Sequence, residues 1–150
     1  MARSRNYREL IAWQRAMKLA TAAYRLSHEL PRKEAYGLIS QMQRAAVSVP
    51  SNIAEGHGRL TDLQFRHFLG NARGSLCELQ THVELACDLG YISTEKLKDF
   101  MEKSSEVARL INGLIASLRE FRVPGKNPLT PLTARSAADS ASSATEEPHR

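Results

Sequence analysis

Residues 36–56 read Tyr36-Gly37-Leu38-Ile39-Ser40-Gln41-Met42-Gln43-Arg44-Ala45-Ala46-Val47-Ser48-Val49-Pro50-Ser51-Asn52-Ile53-Ala54-Glu55-Gly56. Leu38, Met42, Ala45, Val49 and Ile53 recur at three- and four-residue steps, which builds one apolar helix face. Pro50 falls inside that pattern. Proline lacks a backbone donor and crowds the carbonyl four residues back, here Ala46, at ~3 kcal/mol unless the helix bends. The apolar period still runs on from Val49 to Ile53. The stretch therefore predicts one kinked helix from about Tyr36 to Glu55, not two helices, with Gly56 and Gly58 as its flexible exit. Away from the apolar face, Arg44, Ser48, Ser51, Asn52 and Glu55 share one side. Such a stripe is either a solvated face or a subunit interface in which Arg44 and Glu55 pair within or between chains.

Three further helical segments flank this one. The first runs from about Tyr7 to Leu30, with Leu10, Trp13, Met17, Ala20 and Tyr24 as its stripe, and Pro31 stops it. The third opens at Thr61, a good N-cap, with Gln64 placed as a capping box requires. Phe65, Phe68, Leu69, Ala72, Leu76, Leu79, Val83 and Ala86 form its core face, which ends before Gly90. The fourth begins near Ser93 and runs towards Arg122, with Glu95 in its first turn. Long amphipathic helices joined by short connections predict an all-α, antiparallel up-down-up-down four-helix bundle over residues 1–122. Gly70, Ala72, Gly74 and Ser75 interrupt the third helix with small residues. Each interior glycine costs ~1 kcal/mol relative to alanine, which points to close helix packing, inside the bundle or between subunits.

After Arg122, Pro124, Gly125, Pro128 and Pro131 break helix, and Ala, Ser, Thr and Glu dominate the remainder. Residues 123–150 are expected to be a disordered tail, because they cannot bury enough apolar surface to offset ordering entropy. Met1 to Tyr7 is polar and basic, unlike a secretory leader. No run approaches the ~18 apolar residues of a membrane span, so the expectation is a cytoplasmic protein without membrane contact. Cys77 and Cys87 lie ten residues apart on one helix, or ~15 Å along its axis. That is beyond disulfide reach, and reduced, buried thiols are expected.

The net charge of +5 is unevenly placed: residues 1–73 carry 12 Lys/Arg against 5 Asp/Glu, whereas 74–122 carry 6 against 8. Arg8, Arg15, Lys18 and Arg25, with the leader residues Arg3 and Arg5, make the first helix the candidate nucleic-acid-binding face. Repetition of that face in an assembly would multiply weak phosphate contacts. The chain shows no recognition-helix motif and no zinc spacing, so backbone-directed, salt-sensitive binding is expected. Catalysis is not expected, nor is a metal or cofactor. A bundle di-iron site needs Glu-x-x-His pairs on two helices, and the four helical segments contain none. Glu78 and His82 share a face but supply only two ligands. Neither His57 nor His67 has a nearby thiol or carboxylate that would make a nucleophile–base pair.

The run from Tyr36 to Gly56, together with Phe68-Leu69, Ala72, Gly74-Ser75-Leu76, Glu78-Leu79 and Thr81, resembles the four-helix-bundle proteins encoded in 23S rRNA intervening sequences. Trp13 matches the first-helix aromatic of that family, and Gln43 stands where many members carry arginine. The resemblance covers roughly residues 7–120. It implies an antiparallel four-helix bundle assembling into a homopentameric ring, with Arg44, Ser48, Asn52 and Glu55 as the candidate subunit-interface residues. Related proteins include the accessory variability factor of diversity-generating retroelements, which binds a reverse transcriptase and nucleic acid. Self-association, RNA or DNA backbone, and a protein such as a reverse transcriptase are therefore the expected partners. The alternative function is a structural scaffold for a protein partner without nucleic-acid contact.

Overall fold

The computed structural model describes residues 4–118. The expected tail at 123–150 lies outside the described residues. Four α-helices follow one another: α1 Ile11–Ser27, α2 Leu38–His57, α3 Asp62–Asp88 and α4 Thr94–Ser117. Short 3-10 turns at Tyr7–Glu9 and Arg32–Glu34 precede α1 and α2.

Local chemistry accounts for most helix ends. The Asn6 side chain accepts from the Arg8 amide, which holds Tyr7–Glu9 as a separate turn and delays α1 to Ile11. Thr61 Oγ1 accepts from the Gln64 amide and Ser93 Oγ from the Lys96 amide, each at 3.2 Å. Both satisfy a donor that the first helical turn leaves unpaired. α3 ends in a Schellman motif. Gly90 adopts φ +79°, Tyr91 N–H reaches the Ala86 carbonyl, and Gly90 N–H that of Cys87. Glycine takes that left-handed turn without the penalty a Cβ imposes.

Side-chain bonds between helices establish their directions. Gln43 of α2 donates to Ser27 of α1, while His57 at the far end of α2 meets the Ser4 carbonyl ahead of α1. Ser48 bonds Ser75, and Gly56 abuts Phe65 and Phe68. Gln80 donates to Ser104, and Arg73 to Asn112. Arg15 pairs with Glu106, and Lys96 with Glu29. In every pair of neighbours the numbers rise in one helix as they fall in the other, so the bundle is antiparallel. Each helix packs on its two sequence neighbours or, for α1 and α4, on each other. No diagonal pair approaches within 8 Å between Cα atoms.

The core contains Met42, Val49 and Ile53 of α2, with Leu69, Leu76, Leu79 and Val83 of α3 and Phe100, Val107 and Ile111 of α4. α2 passes through Pro50 without interruption, and the ring is buried. α1 is phased differently from the stripe expected in its sequence. Ala12, Ala16, Leu19 and Ala23 are buried, whereas Met17 and Tyr24 are 43% and 38% exposed. Two apolar rows run along α1 about one residue, or 100°, apart, and the row of smaller residues allows closer backbone approach. Of the larger row, Leu10, Trp13 and Ala20 pack partly buried against the core, and Met17 and Tyr24 are left at the surface.

The glycines also exchange the roles expected of them. Gly56 lies within α2 and is buried. A Cβ there would stand 2.6 Å from Phe68 Cβ and 2.9 Å from Phe65 Cδ2. Gly56, not the α3 cluster, permits the closest approach of α2 to α3. At Gly70 and Gly74 an added Cβ would meet nothing within 4 Å. Packing inside the chain therefore does not require them. Cys77 is exposed and Cys87 half-buried, both as free thiols. The expected burial of Cys77 fails because it lies on the same open side of α3 as Gly70.

Candidate functional site

Arg15, Lys18 and Arg25 lie on one side of α1 along the seam with α4, while Arg8 sits apart in the preceding turn. Arg8 is exposed, and its guanidinium lies 4.7 Å from the centroid of the adjacent Tyr7 ring. Arg15 Nε contacts Glu106 Oε1 at 2.9 Å. Arg25 borders an open cleft that also contains Glu29, Glu95 and Asp99, besides Lys96 and Lys103. α4 carries Glu95, Asp99, Glu102 and Glu106 against Lys96, Lys98, Lys103 and Arg109, and the bundle sets these acids beside the basic side of α1. Much of the charge that made α1 a nucleic-acid candidate is thus answered within the chain, leaving Arg8 and Lys18 without a carboxylate partner among the described residues.

The polar stripe of α2 divides into inward and outward members. Ser48 Oγ shares a 2.8 Å hydrogen bond with Ser75 Oγ of α3. Asn52 Nδ2 donates to the Ser48 carbonyl at 2.8 Å and to its hydroxyl at 2.9 Å. These side chains clasp α2 to α3. Glu55 pairs one turn onward with Arg59 at 2.6 Å, not with Arg44. Arg44 alone projects from the stripe without a carboxylate partner among the described residues. It borders two shallow clefts, one with Tyr24, Ser40 and Val47 and the other with Ser75, Glu78 and His82. Met17, Tyr24 and Val47 are exposed large apolar residues on α1 and α2, as is Ile11 at the start of α1.

His82 faces the second cleft. Burial pushes its imidazole below the ordinary 6.5, while the Glu78 carboxylate pulls it upward. Its Nδ1 is buried without a hydrogen-bond partner among the described residues. No three His, Cys, Asp or Glu side chains converge to hold a metal among the described residues.

A third surface was missed in the sequence reading. At the α2–α3 turn and the first turns of α3, an open cleft of about 670 Å³ is lined by Arg59, Arg66, His67, Phe68, Gly70 and Arg73, among others. No carboxylate among the described residues lines it. Arg59 lies over the Phe68 ring at 4.7 Å, and Arg73 donates to Asn112 at 3.2 Å. Arg66 Nε is buried without a hydrogen-bond partner among the described residues. The sequence signal was the seven-residue spacing of Arg66 and Arg73 on α3, which returns to one side after about two helical turns; Arg59 joins them from the turn before α3. A charge total along the chain does not reveal it, because helix azimuth and the turn bring these side chains together.

Comparison with known proteins bears on this arrangement at two levels. A protein of unknown function from the S23 ribosomal protein family of Bacteroides thetaiotaomicron is similar in structure, with TM-score 0.65 and 21% identity over 70% of this chain and 98% of that chain. At that identity the likeness concerns the fold. No curated protein matches the sequence. The profile of the 23S rRNA-intervening sequence proteins matches residues 8–113, which contain all four helices except the last turn of α4. The chain belongs to the 23S rRNA-intervening sequence protein family.

Proposed function

We propose that this chain is a non-catalytic, homo-oligomeric helical bundle that associates with the phosphate backbone of RNA or DNA. The carrying observation is the incomplete neutralisation of its surface. Arg8, Lys18 and Arg44 are exposed and without a carboxylate partner among the described residues, while the acids of α4 answer Arg15 and crowd Arg25. A homopentamer, as the sequence resemblance implies, would display each unanswered cation five times, and linked weak contacts bind more tightly than any one alone. Assembly has a matching surface in Met17, Tyr24 and Val47 beside Arg44, where apolar area and an unpartnered cation adjoin on neighbouring helices. The family's name concerns where its genes lie, so the partner assignment rests on charge and geometry.

Two measurements on the full chain test this reading. Light scattering at two salt concentrations should return a mass near five chains. Retention on single-stranded RNA and DNA should fall with salt, with a log–log slope of about −0.7 per phosphate neutralised. A monomer at both salts overturns the assembly. No retention at low salt overturns the nucleic-acid role and favours a protein scaffold.

A further inference from the structure

We infer that the α3 cleft around Arg66, Gly70 and Arg73 is the close-contact site for a nucleic-acid strand, an assignment that rests on the nucleic-acid reading above. Arg66, Gly70 and Arg73 stand at i, i+4 and i+7, so they form one line along α3. The arginines are separated by ~10.5 Å of helix rise, which places two phosphate-directed groups along a path, not at a point. Gly70 lies between them. An added Cβ there would meet nothing within 4 Å, so the helix backbone is open to close approach where the path crosses it.

Charge supports a polyanion as occupant. Among the described residues no carboxylate lines the cleft, in contrast to the α1–α4 seam, where Glu29, Glu95 and Asp99 line the corresponding opening. The acids close to it in sequence are Glu55, engaged by Arg59, and Asp62 in the first turn of α3. Arg66 adds an independent sign. Its Nε–H is buried and without an acceptor among the described residues, and such a group is costly to leave unpaired. A phosphate oxygen entering the cleft supplies that acceptor once the guanidinium turns towards it, and a planar guanidinium grips phosphate through two N–H groups. The contacts are to backbone and not to base edges, so the site has little sequence preference.

The test measures fluorescence anisotropy of a labelled oligouridylate across a salt series, using the full chain, R66Q/R73Q, G70L and R8Q/K18Q. R66Q/R73Q should bind at least about tenfold more weakly near 0.1 M salt, with a slope shallower by about 1.4, or ~0.7 for each lost phosphate contact. G70L retains every charge and adds its side chain in open space. It should keep the helical circular dichroism and melting temperature of the parent while also binding more weakly. That variant keeps the inference falsifiable should R66Q/R73Q fold poorly. Parent-like binding by folded R66Q/R73Q and G70L, with loss in R8Q/K18Q, overturns the α3 site and leaves the nucleic-acid reading standing. No binding by the parent chain overturns both. Displacement of the oligonucleotide by polyglutamate at equal charge concentration marks an unselective anion patch suited to an acidic protein, and likewise overturns the assignment.

Discussion

At the scale of single residues, Gly56 and Gly70 make opposite predictions from the same substitution. Gly56→Ala drives a methyl group to 2.6 Å from Phe68 Cβ. The helices must part to admit it, at about 1–3 kcal/mol. Gly70→Ala meets nothing and removes the entropic cost of glycine within a helix, so it should stabilise by roughly 0.5–1 kcal/mol. Urea unfolding of the two variants checks both signs. The sequence shows why each glycine is unusual but not which neighbour it meets, and the roles were consequently reversed. His82 supplies a pH-dependent case. Burial holds its folded pKa below 6.5, so the unfolded chain takes up a proton that the folded chain resists as pH falls through that window. Stability from this group is therefore lost on acidification and unaffected well above 6.5. Glu78 opposes the downward shift, so Glu78→Gln should deepen the loss between pH 7.5 and 5, and His82→Gln should remove this contribution. Differences in urea midpoint from the parent, with and without each substitution, isolate the effect; solvent screening of the half-buried ring keeps it small.

At the scale of elements, polar clasps accompany the apolar stripes and hold the register of the helices. Ser27 and Ser104 are the buried polar side chains of the core. Each bonds a carbonyl of its own helix and accepts from a glutamine of an adjacent helix, Gln43 at 3.1 Å and Gln80 at 2.7 Å. Gln43 thus has a structural task. Gln80→Ala should cost about 1 kcal/mol. In a double-mutant cycle with Ser104→Ala, a coupling of roughly 0.5–1.5 kcal/mol is expected, and additive losses would deny the clasp. Helix ends were legible in the sequence because Thr61, Ser93 and Gly90 act through backbone groups a few residues away. The side of α1 facing inward was not. Both of its apolar rows satisfy a helical period, and only the presence of α2 and α4 selects the alanine-rich row. The candidate charges depended on the same missing information, since Arg15 is neutralised by Glu106, 91 positions distant.

At the scale of the whole molecule, a four-helix bundle that buries its core still leaves apolar surface where Met17 and Tyr24 of α1 turn outward. Tyr24 and Val47 line one shallow cleft beside Arg44, and Val47 is 45% exposed. Scattered exposed apolar residues are ordinary on a monomer; what distinguishes these is their adjacency on two helices around an unpartnered cation. A stable interface buries about 1,200–2,000 Å² in total, and a few central residues carry most of its energy. Val47→Glu places a carboxylate at that centre while changing a half-exposed helix position that the fold does not need. Surface substitutions of this kind alter folding stability by only about ±0.5 kcal/mol, so the melting temperature in dilute, high-salt solution should scarcely move. Light scattering should instead show the mass falling from near five chains towards one. An intact assembly in Val47→Glu would remove the α1–α2 face from the interface and direct attention to the open side of α3. There Gly74 and Cys77 leave room for another helix, and subunit packing would then compete with a nucleic-acid strand for the same surface.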